Sequence, residues 1–442
     1  MGLMNKKISI GAALAMMIIV IALTVSVTML IAMRQFNSMV NELNKRQAMY
    51  SYLSEVDNAV RQNSYQTIDE EVLRQALAEG YINGIGDPYA AFLTAEEYGR
   101  VQQEMAGKSS GFGLEIARDL DGNVVISNVQ KGAAAYSAGL KKGDRVTALD
   151  KEPLNAESLS AAREKLGTAP SIILTISRDG KETAVELSAG SYSTVSVDEH
   201  MVNEKVGYIR IRTFTDTTAD QFKSAYNALL EQGAEAFVFD LRNNTGGSLE
   251  AAKSIIAYLL PRGPYAYYQT ASGKTELRSE ESYQMDKPSV TLINARTTGE
   301  AELMAGALKQ SGLTTLVGGK TYGRGLVQNH FTITSDNAAV RLSVAELKLV
   351  DDTSWEGNGL LPDEVSVLSA AQEQAFDTLT DEQDNQLQTA LAKLSQTSTE
   401  TTPPNADTTT TVGTDETTEA SETETGVSDE TTDTVTTTTD AD

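Results

Sequence analysis

The clearest strand, turn and helix in this sequence form an arrangement that could present a nucleophile, but they contain few side chains able to act as one. The stretch 290–328 reads VTLINARTTGEAELMAGALKQSGLTTLVGGKTYGRGLVQ. An apolar strand runs into a turn and an Ala- and Leu-rich helix, a frequent way to place a nucleophile beside backbone N–H groups that can hold an oxyanion. The part up to residue 310 contains no serine and no cysteine, and its hydroxyls are those of Thr291, Thr297 and Thr298.

The surrounding pattern predicts the elements that hold this turn. Strands are predicted at 290–293 and 314–317, with a helix at 300–310 between them. Upstream, Val206–Ile211 alternates as a strand, a helix is predicted over 218–232, and 236–242 is an apolar strand that ends in NNTGG at 243–247. Strands that alternate with helices predict an α/β architecture.

The composition excludes several function classes. With a formal net charge of −25 over 442 residues, the chain is too acidic for a nucleic-acid binder and too long for one ordinary domain. It has no cysteine, which excludes disulfides and thiolate metal sites. Its two histidines are His200 and His330, so we expect no histidine-based triad, no metal site and no cofactor.

The N-terminal region predicts a membrane anchor. Residues 8–33 carry no charge and are flanked by Lys6, Lys7 and Arg34. This length suffices to cross a hydrocarbon core of about 30 Å as a helix. A cleaved signal peptide is the alternative, but the apolar region is long for one and no clear A-x-A site follows. We therefore predict a cytoplasmic stub and signal-anchor over 1–34, which makes the protein single-pass in the cell membrane with its bulk extracytoplasmic.

Two segments carry a family resemblance. NARTTGEAELMAGAL (294–308) and GGKTYGRGLVQ (318–328) resemble the catalytic segment of peptidase family S41, the C-terminal (tail-specific) processing peptidases, whose pattern is roughly N-x-x-S-A-S-A-S-E-x-x-A-G-A-L and then G-x-x-T-F-G-K-G-x-V-Q. The resemblance places the family's serine nucleophile at Gly299 and its lysine base at Arg324. The glutamine that orients the lysine falls on Gln328.

These substitutions predict a lost dyad. Glycine has no atom that can attack a carbonyl, and a guanidinium stays protonated in proteins. Loss of such a dyad lowers kcat by a factor on the order of 10⁶. Glu300 adds a carboxylate where an oxyanion would develop. The alternative is a displaced nucleophile, Thr298 served by Lys320, although Lys320 lies four positions before the expected base and should point elsewhere.

Two further stretches extend the resemblance. GIGDPYAAFLTAEEY (84–98) is similar to the segment ahead of the PDZ module in S41 peptidases, and DLRNNTGG (240–247) is similar to the family's D-L-R-x-N-x-G-G. The second likeness implies that the Gly246 and Gly247 amides form part of an oxyanion hole, on a ClpP/crotonase-like core. The stretch 351–357 departs from the family pattern, and we expect its Trp355 to be a packing residue. Capping boxes are predicted at Thr67 and Thr94.

A PDZ domain is predicted over 109–189. Gly111, Phe112, Gly113 and Leu114 resemble its carboxylate-binding loop, and 123–150 resembles its strand, short helix and A-G-L-x-x-G-D turn into the next strand. The resemblance implies that a peptide C-terminus pairs with a sheet edge while the loop amides hold its carboxylate.

The remaining boundaries follow. We predict a helical stalk and N-terminal peptidase helices over 35–108, the S41 core over 190–370 and a C-terminal helix over 371–396, from a helical pattern at about 381–394. Residues 397–442, rich in Thr and acidic residues, are predicted to be a disordered tail.

Three functions remain open. The first is a pseudopeptidase that binds peptide or protein C-termini, with an active S41 paralogue or a second copy as a further partner. The second is an active S41-type endopeptidase with a displaced threonine, and the third is a membrane scaffold.

Overall fold

The computed structural model describes residues 10–280 and 285–400, without the side chains of 397–400. The predicted acidic tail therefore lies largely outside the described residues. Contacts group the chain into two units, Met1–Leu394 and Ser395–Asp442, and the site lies in the first. The helices of the described part are α1 (Ile10–Asn63), α2 (Glu70–Asn83), α3 (Ala95–Met105), α4 (Ala134–Ser137), α5 (Leu159–Thr168), α6 (Thr218–Glu231), α7 (Leu249–Leu259), α8 (Glu300–Gln310), α9 (Ala370–Gln374) and α10 (Asn385–Glu400).

The strands of the described part form four sheets. In chain order they are β1 (Ala91–Leu93), β2 (Lys108–Gly111), β3 (Leu114–Arg118), β4 (Val124–Val129), β5 (Arg145–Leu149), β6 (Glu152–Pro153), β7 (Ser171–Arg178), β8 (Lys181–Ser188), β9 (Gly190–Ser193), β10 (Val197–Met201), β11 (Val206–Ile211), β12 (Ala236–Asp240), β13 (Gly263–Thr270), β14 (Gly273–Ser279), β15 (Ser289–Ile293), β16 (Thr314–Gly318), β17 (Leu326–Thr332), β18 (Ala339–Leu349) and β19 (Glu364–Val365).

Helix α1 is continuous over 54 residues, and none of them is buried. It joins the apolar N-terminal stretch to the polar stalk, as the sequence predicted. Its first half is long and apolar enough to cross a membrane by length and composition.

The two predicted capping boxes have different outcomes. The box at Thr94 is confirmed: its hydroxyl accepts the Glu97 N–H, and the Glu97 carboxylate accepts the Thr94 N–H. The box at Thr67 is wrong, because α2 begins two residues later than it requires. Asp69 caps α2 instead, with its carboxylate on the N–H groups of Glu71 and Val72. An aspartate satisfies the free amides of a first turn as well as a threonine does.

A separate sheet builds the predicted PDZ region. Its strand order is β3-β4-β5-β7-β8, with β6 beside β5. The predicted strand, short helix and strand over 123–150 are confirmed as β4, α4 and β5. The chain enters and leaves this region through the paired strands β2 and β9, in which Gly111 lies opposite Gly190.

The core confirms the α/β prediction. Its sheet has the order β10-β11-β12-β15-β16-β19, in which the last five strands are parallel and β10 is an antiparallel edge. Helices α6, α7 and α8 lie in the connections between consecutive parallel strands, and each buries an apolar face. A second sheet has the order β1-β18-β13-β14, with β17 paired to β18.

Buried charges tie the C-terminal region to this core. The Arg242 guanidinium, with a side chain 2% exposed, lies 2.6 Å from both Asp240 and Asp384. Its Nη1 also donates to Gln386 in α10. The predicted helix over 381–394 begins later than expected, at Asn385, because Asp384 accepts the N–H groups of Gln386 and Leu387 as an N-terminal cap would.

Candidate active site

Three loops at the carboxyl ends of adjacent strands build the site. The loop 243–247 follows β12, the turn 294–299 follows β15, and the loop 319–325 follows β16. Since β12, β15 and β16 are neighbours and parallel, all three loops emerge at the same edge of the sheet. The predicted residues Gly246, Gly247, Gly299 and Arg324 are thereby brought together.

Gly299 has the backbone of a strained strand-to-helix turn. Its φ of 64° and ψ of −119° lie where side chains are rarely tolerated. A Cβ built on Gly299 would lie 2.6 Å from Arg324 Nη2 and 3.1 Å from Arg324 Nε. The guanidinium of Arg324 therefore fills the space that a nucleophilic side chain would need.

The Arg324 guanidinium is held by a backbone carbonyl oxygen and a nearby carboxylate. Its Nη2 donates to the Thr245 carbonyl oxygen at 2.7 Å and lies 3.9 Å from the Glu300 carboxylate. Arg324 thus forms an ion pair with Glu300, but at a longer distance than its contact to Thr245. Its Nε is buried and has no hydrogen-bond partner among the described residues.

Glu302 is a site residue that the sequence reasoning missed. One carboxylate oxygen accepts the N–H groups of Gly299 and Arg324, and the other accepts the Gly323 N–H and the Thr321 hydroxyl. A single buried side chain therefore joins the start of α8 to the loop that carries Arg324. Its position three residues after the helix cap is the capping-box spacing, which could have indicated it.

The amides assigned to an oxyanion hole already have acceptors. The Gly247 N–H donates to Glu300 Oε2 at 2.9 Å, and the Gly246 N–H donates to Asn244 Oδ1 at 2.8 Å. A Cβ on Gly246 would lie 2.2 Å from the Glu300 carboxylate, so only glycine leaves room for it there. Glu300 thus places a negative charge on a donor that an oxyanion would use.

Burial raises the pKa of both glutamates. For Glu300, the Gly247 N–H and the Arg324 charge oppose this effect without overcoming it. For Glu302, the hydrogen bonds to Thr321 and the three backbone amides oppose it. Both carboxyls are therefore easier to protonate than free glutamate.

We expect Glu300→Gln to change the pH dependence of stability. A carboxyl whose pKa is higher in the folded state stabilises the fold below its unfolded pKa and loses that contribution as pH rises through the folded value. The free energy of unfolding of the wild type, relative to the always neutral variant, should therefore fall as pH rises above the ordinary value of 4.5. Urea unfolding of both proteins from pH 4.5 to neutrality measures this difference. Glu276→Gln, at an exposed ion pair, is the control, and a difference that does not vary with pH would contradict the prediction.

The site opens into a cleft of about 520 Å³. Gln328 lines this cleft together with Arg324, but its amide donates to the Leu326 carbonyl oxygen, and no hydrogen bond joins it to Arg324 among the described residues. The cleft continues past His330 and Arg341 towards Glu104 of α3. Burial and the Arg341 charge lower the pKa of His330, which favours its neutral form.

The three threonines of the stretch have different surroundings. Thr291 is paired with Thr314 inside the sheet, and the Thr297 hydroxyl donates to the Leu241 carbonyl oxygen within the turn. The Thr298 hydroxyl is buried without a hydrogen-bond partner among the described residues. Lys320 is exposed and lines a different cavity, beside Asn294 and Arg296, so the geometry gives Thr298 no base.

The stretch that departs from the family pattern supports the Arg324 loop. The Trp355 indole is fully buried and donates to the Arg324 carbonyl oxygen at 3.1 Å, which confirms its packing role. The Glu356 carboxylate accepts the Gly325 N–H at 2.6 Å. This segment fixes the backbone on both sides of the Arg324–Gly325 peptide bond.

The predicted PDZ loop lines a second groove. Gly111, Phe112, Gly113 and Leu114 border a cavity of about 430 Å³ between β3 and α5. A Cβ on Gly113 would lie 2.0 Å from the Cβ of Ala133, so this position requires glycine. Arg163 of α5 donates across the groove to the Ile116 carbonyl oxygen at 2.9 Å. A peptide that extended along β3 beyond the loop would have to displace this bond.

Comparison with known proteins agrees with both regions. The model of peptidase family S41 matches residues 205–366, and the PDZ domain model matches residues 100–177. A carboxyl-terminal-processing protease of Synechocystis sp. (strain ATCC 27184 / PCC 6803 / Kazusa) is 33% identical over 291 residues, which cover 64% of this chain and 68% of that protein. The chain belongs to peptidase family S41.

Other relatives agree with this assignment. The carboxy-terminal processing protease CtpA of Bacillus subtilis (strain 168) is 26% identical over 321 residues, or 71% of this S41 chain and 68% of the relative. A solved structure of a putative S41 protease from Bacteroides fragilis NCTC 9343 has a TM-score of 0.54 and covers 78% of this chain and 97% of its own, at 19% identity. That likeness confirms the fold alone. The assignment of Gly299, Arg324 and Gln328 to the family's catalytic positions remains a prediction.

Proposed function

We propose that this S41 family member is a membrane-anchored, extracytoplasmic pseudopeptidase that binds peptide or protein C-termini without cutting them. The observation that carries the proposal is the contact between Gly299 and Arg324. A Cβ on Gly299 would lie only 2.6 Å from Arg324 Nη2, which is closer than real Cβ contacts allow. Glycine offers no nucleophile and arginine accepts no proton near neutral pH, so the two residues together remove the first step of acyl transfer.

Two further observations support the absence of hydrolysis. Glu300 occupies the Gly247 N–H, so a developing oxyanion would have to compete with a carboxylate for that donor. The Thr298 hydroxyl has no basic partner among the described residues. Nothing in this arrangement favours the displaced-threonine endopeptidase over the binding protein.

Binding of C-termini is supported by the groove and by the relatives. The loop 111–114 and the edge of β3 border a groove of about 430 Å³, in which a peptide could add to the sheet edge once the bond from Arg163 to the Ile116 carbonyl oxygen is displaced. The names of two relatives describe processing of carboxyl termini, and the same ligand class would suit a descendant that has lost hydrolysis. Helix α1 supports the anchor, because its apolar half suits a bilayer and its polar half suits a stalk.

A turnover assay on the full chain in detergent micelles tests the proposal. We expect unstructured peptides with free C-termini to remain intact and a fluorophosphonate probe to leave the protein unlabelled, whereas an active S41 relative serves as the positive control. Thr298→Ala, which removes a hydroxyl without a partner, should behave as the wild type does. Cleavage or labelling that disappears in Thr298→Ala would establish the endopeptidase instead.

A further inference from the structure

The Glu300 side chain places a carboxylate of the chain itself against two donors of the cleft. Glu300 Oε2 accepts the Gly247 N–H at 2.9 Å and lies 3.9 Å from Arg324 Nη2. The Glu300 side chain is 13% exposed, so the group lies at the cleft wall and not deep in the core. The Gly247 amide and the Arg324 guanidinium together form a carboxylate seat.

The seat is shaped for a carboxylate. A backbone N–H and a guanidinium form the charge-assisted contacts that carboxylates prefer, and the first turn of α8 adds the positive end of a helix dipole. A Cβ on Gly246 would lie 2.2 Å from the carboxylate oxygen and 2.8 Å from Arg324 Nη2. The Thr245 carbonyl oxygen fixes the guanidinium at 2.7 Å. The surroundings therefore fit closely around one small carboxyl group, and the two donors partly offset the burial that raises its pKa.

The rest of the cleft can hold a short peptide behind that anion. The space of about 520 Å³ is bordered by Gln328, Asn329 and His330 of β17, and within the described ranges 10–280 and 285–400 this strand pairs only with β18. Its other edge can pair with an added chain. The charged residues of the lining are Glu104, Glu300, Arg324 and Arg341. Exchange of the Glu300 carboxylate for that of a ligand leaves the charge at the seat unchanged.

We propose that the carboxylate seat is a second binding site for a peptide C-terminal carboxylate, separate from the loop 111–114, and that Glu300 fills it until a peptide tail replaces its side chain. The inference rests on the proposed function, because a hydrolase would use the same donors on an oxyanion. Glu300 then acts as an internal competitor. A peptide tail enters the cleft only if it binds the carboxylate seat more tightly than the Glu300 side chain does.

Chemical rescue of Glu300→Ala tests the seat directly, on the full chain in detergent micelles. The truncation removes the equivalent of acetate, so added acetate should raise the melting temperature of the variant by about 2–4 °C near saturation. Sodium chloride should give no such rise, and acetamide should give a smaller one because it lacks the charge that Arg324 attracts. The wild type and Glu300→Gln, which keep the space filled, should not respond to acetate. Adding Arg324→Gln to Glu300→Ala should abolish the response.

A peptide titration then separates the seat from the PDZ groove. With a short unstructured peptide, Glu300→Ala should show a second binding event. The wild type should bind the peptide at this second site at least tenfold more weakly. A peptide with an amidated C-terminus should not bind there. An equal response to acetate in all variants, or no response in Glu300→Ala, would overturn the seat. Either result leaves the turnover assay unaffected, whereas turnover by the wild type would overturn the proposed function and leave the acetate result standing.

Discussion

The double variant Gly299→Ser/Arg324→Lys is expected to stay nearly inactive, and the addition of Glu300→Ala is expected to raise its turnover of a C-terminal peptide about 100-fold or more. The double variant supplies a nucleophile and a titratable amine, and lysine relieves the crowding beside position 299. It leaves the Glu300 carboxylate on the Gly247 N–H. Loss of one oxyanion donor costs roughly 10²–10³ in kcat, and the carboxylate adds repulsion to that loss.

The measurement is product formation by mass spectrometry, together with fluorophosphonate labelling at position 299. Gly299→Ser/Glu300→Ala is the matched control, because it keeps the guanidinium and should remain inactive. Serine at a φ of 64° adds strain of about 1–3 kcal/mol, so melting temperatures of all variants must be compared. A double variant as fast as the triple would show that Glu300 does not block the donor. A fully inactive triple would point to the stretch 351–357, which supports the backbone at Arg324.

Arg242→Met is expected to destabilise the protein by about 3–5 kcal/mol, or roughly 10 °C in melting temperature. The guanidinium is buried between Asp240 and Asp384, 2.6 Å from each, and its Cζ lies 4.8 Å from the Phe376 ring centroid. Methionine fills similar volume and leaves two buried carboxylates without their cation. The exposed pair of Arg262 and Glu280 provides the control, because Arg262→Met should cost no more than about 1 kcal/mol.

The pH dependence distinguishes a lost charge from lost packing. Burial alone would raise the pKa of Asp240, but the charge and hydrogen bonds of Arg242 bring it below its ordinary value of 3.8. A carboxyl with a depressed pKa contributes stability above its unfolded pKa and loses it as pH falls through the folded value. The difference between wild type and Arg242→Met should therefore shrink as pH falls below 3.8. A difference that is constant with pH would assign the loss to packing.

Local patterns predicted the frame of the site well. The strand, turn and helix around Gly299 follow from a β-branched apolar run and an Ala- and Leu-rich segment, and β15, α8 and β16 lie within one residue of the predicted bounds. The error at Thr67 has a local cause, since Thr67 and Asp69 are both good capping residues two positions apart.

The contacts that decide the chemistry could not be predicted in this way. Glu300 meets Gly247 across 53 positions, and Arg242 meets Asp384 across 142. Both pairs depend on which loops share an edge of the parallel sheet. Periodicity does not determine that arrangement, and the family resemblance offers no precedent for Glu300. The resemblance pointed to Gly299 and Arg324, whereas the close contact between them could be seen only in the coordinates.

Because strands β2 and β9 are paired, the region between them could be deleted and the two strands joined directly. Gly111 lies opposite Gly190 in an antiparallel ladder, so their Cα atoms are about 5 Å apart. A two-residue Asn-Gly turn that joined the two strands would convert them into an ordinary hairpin. The rest of the chain would keep its path, and the cleft could be studied in a molecule from which the PDZ region had been removed.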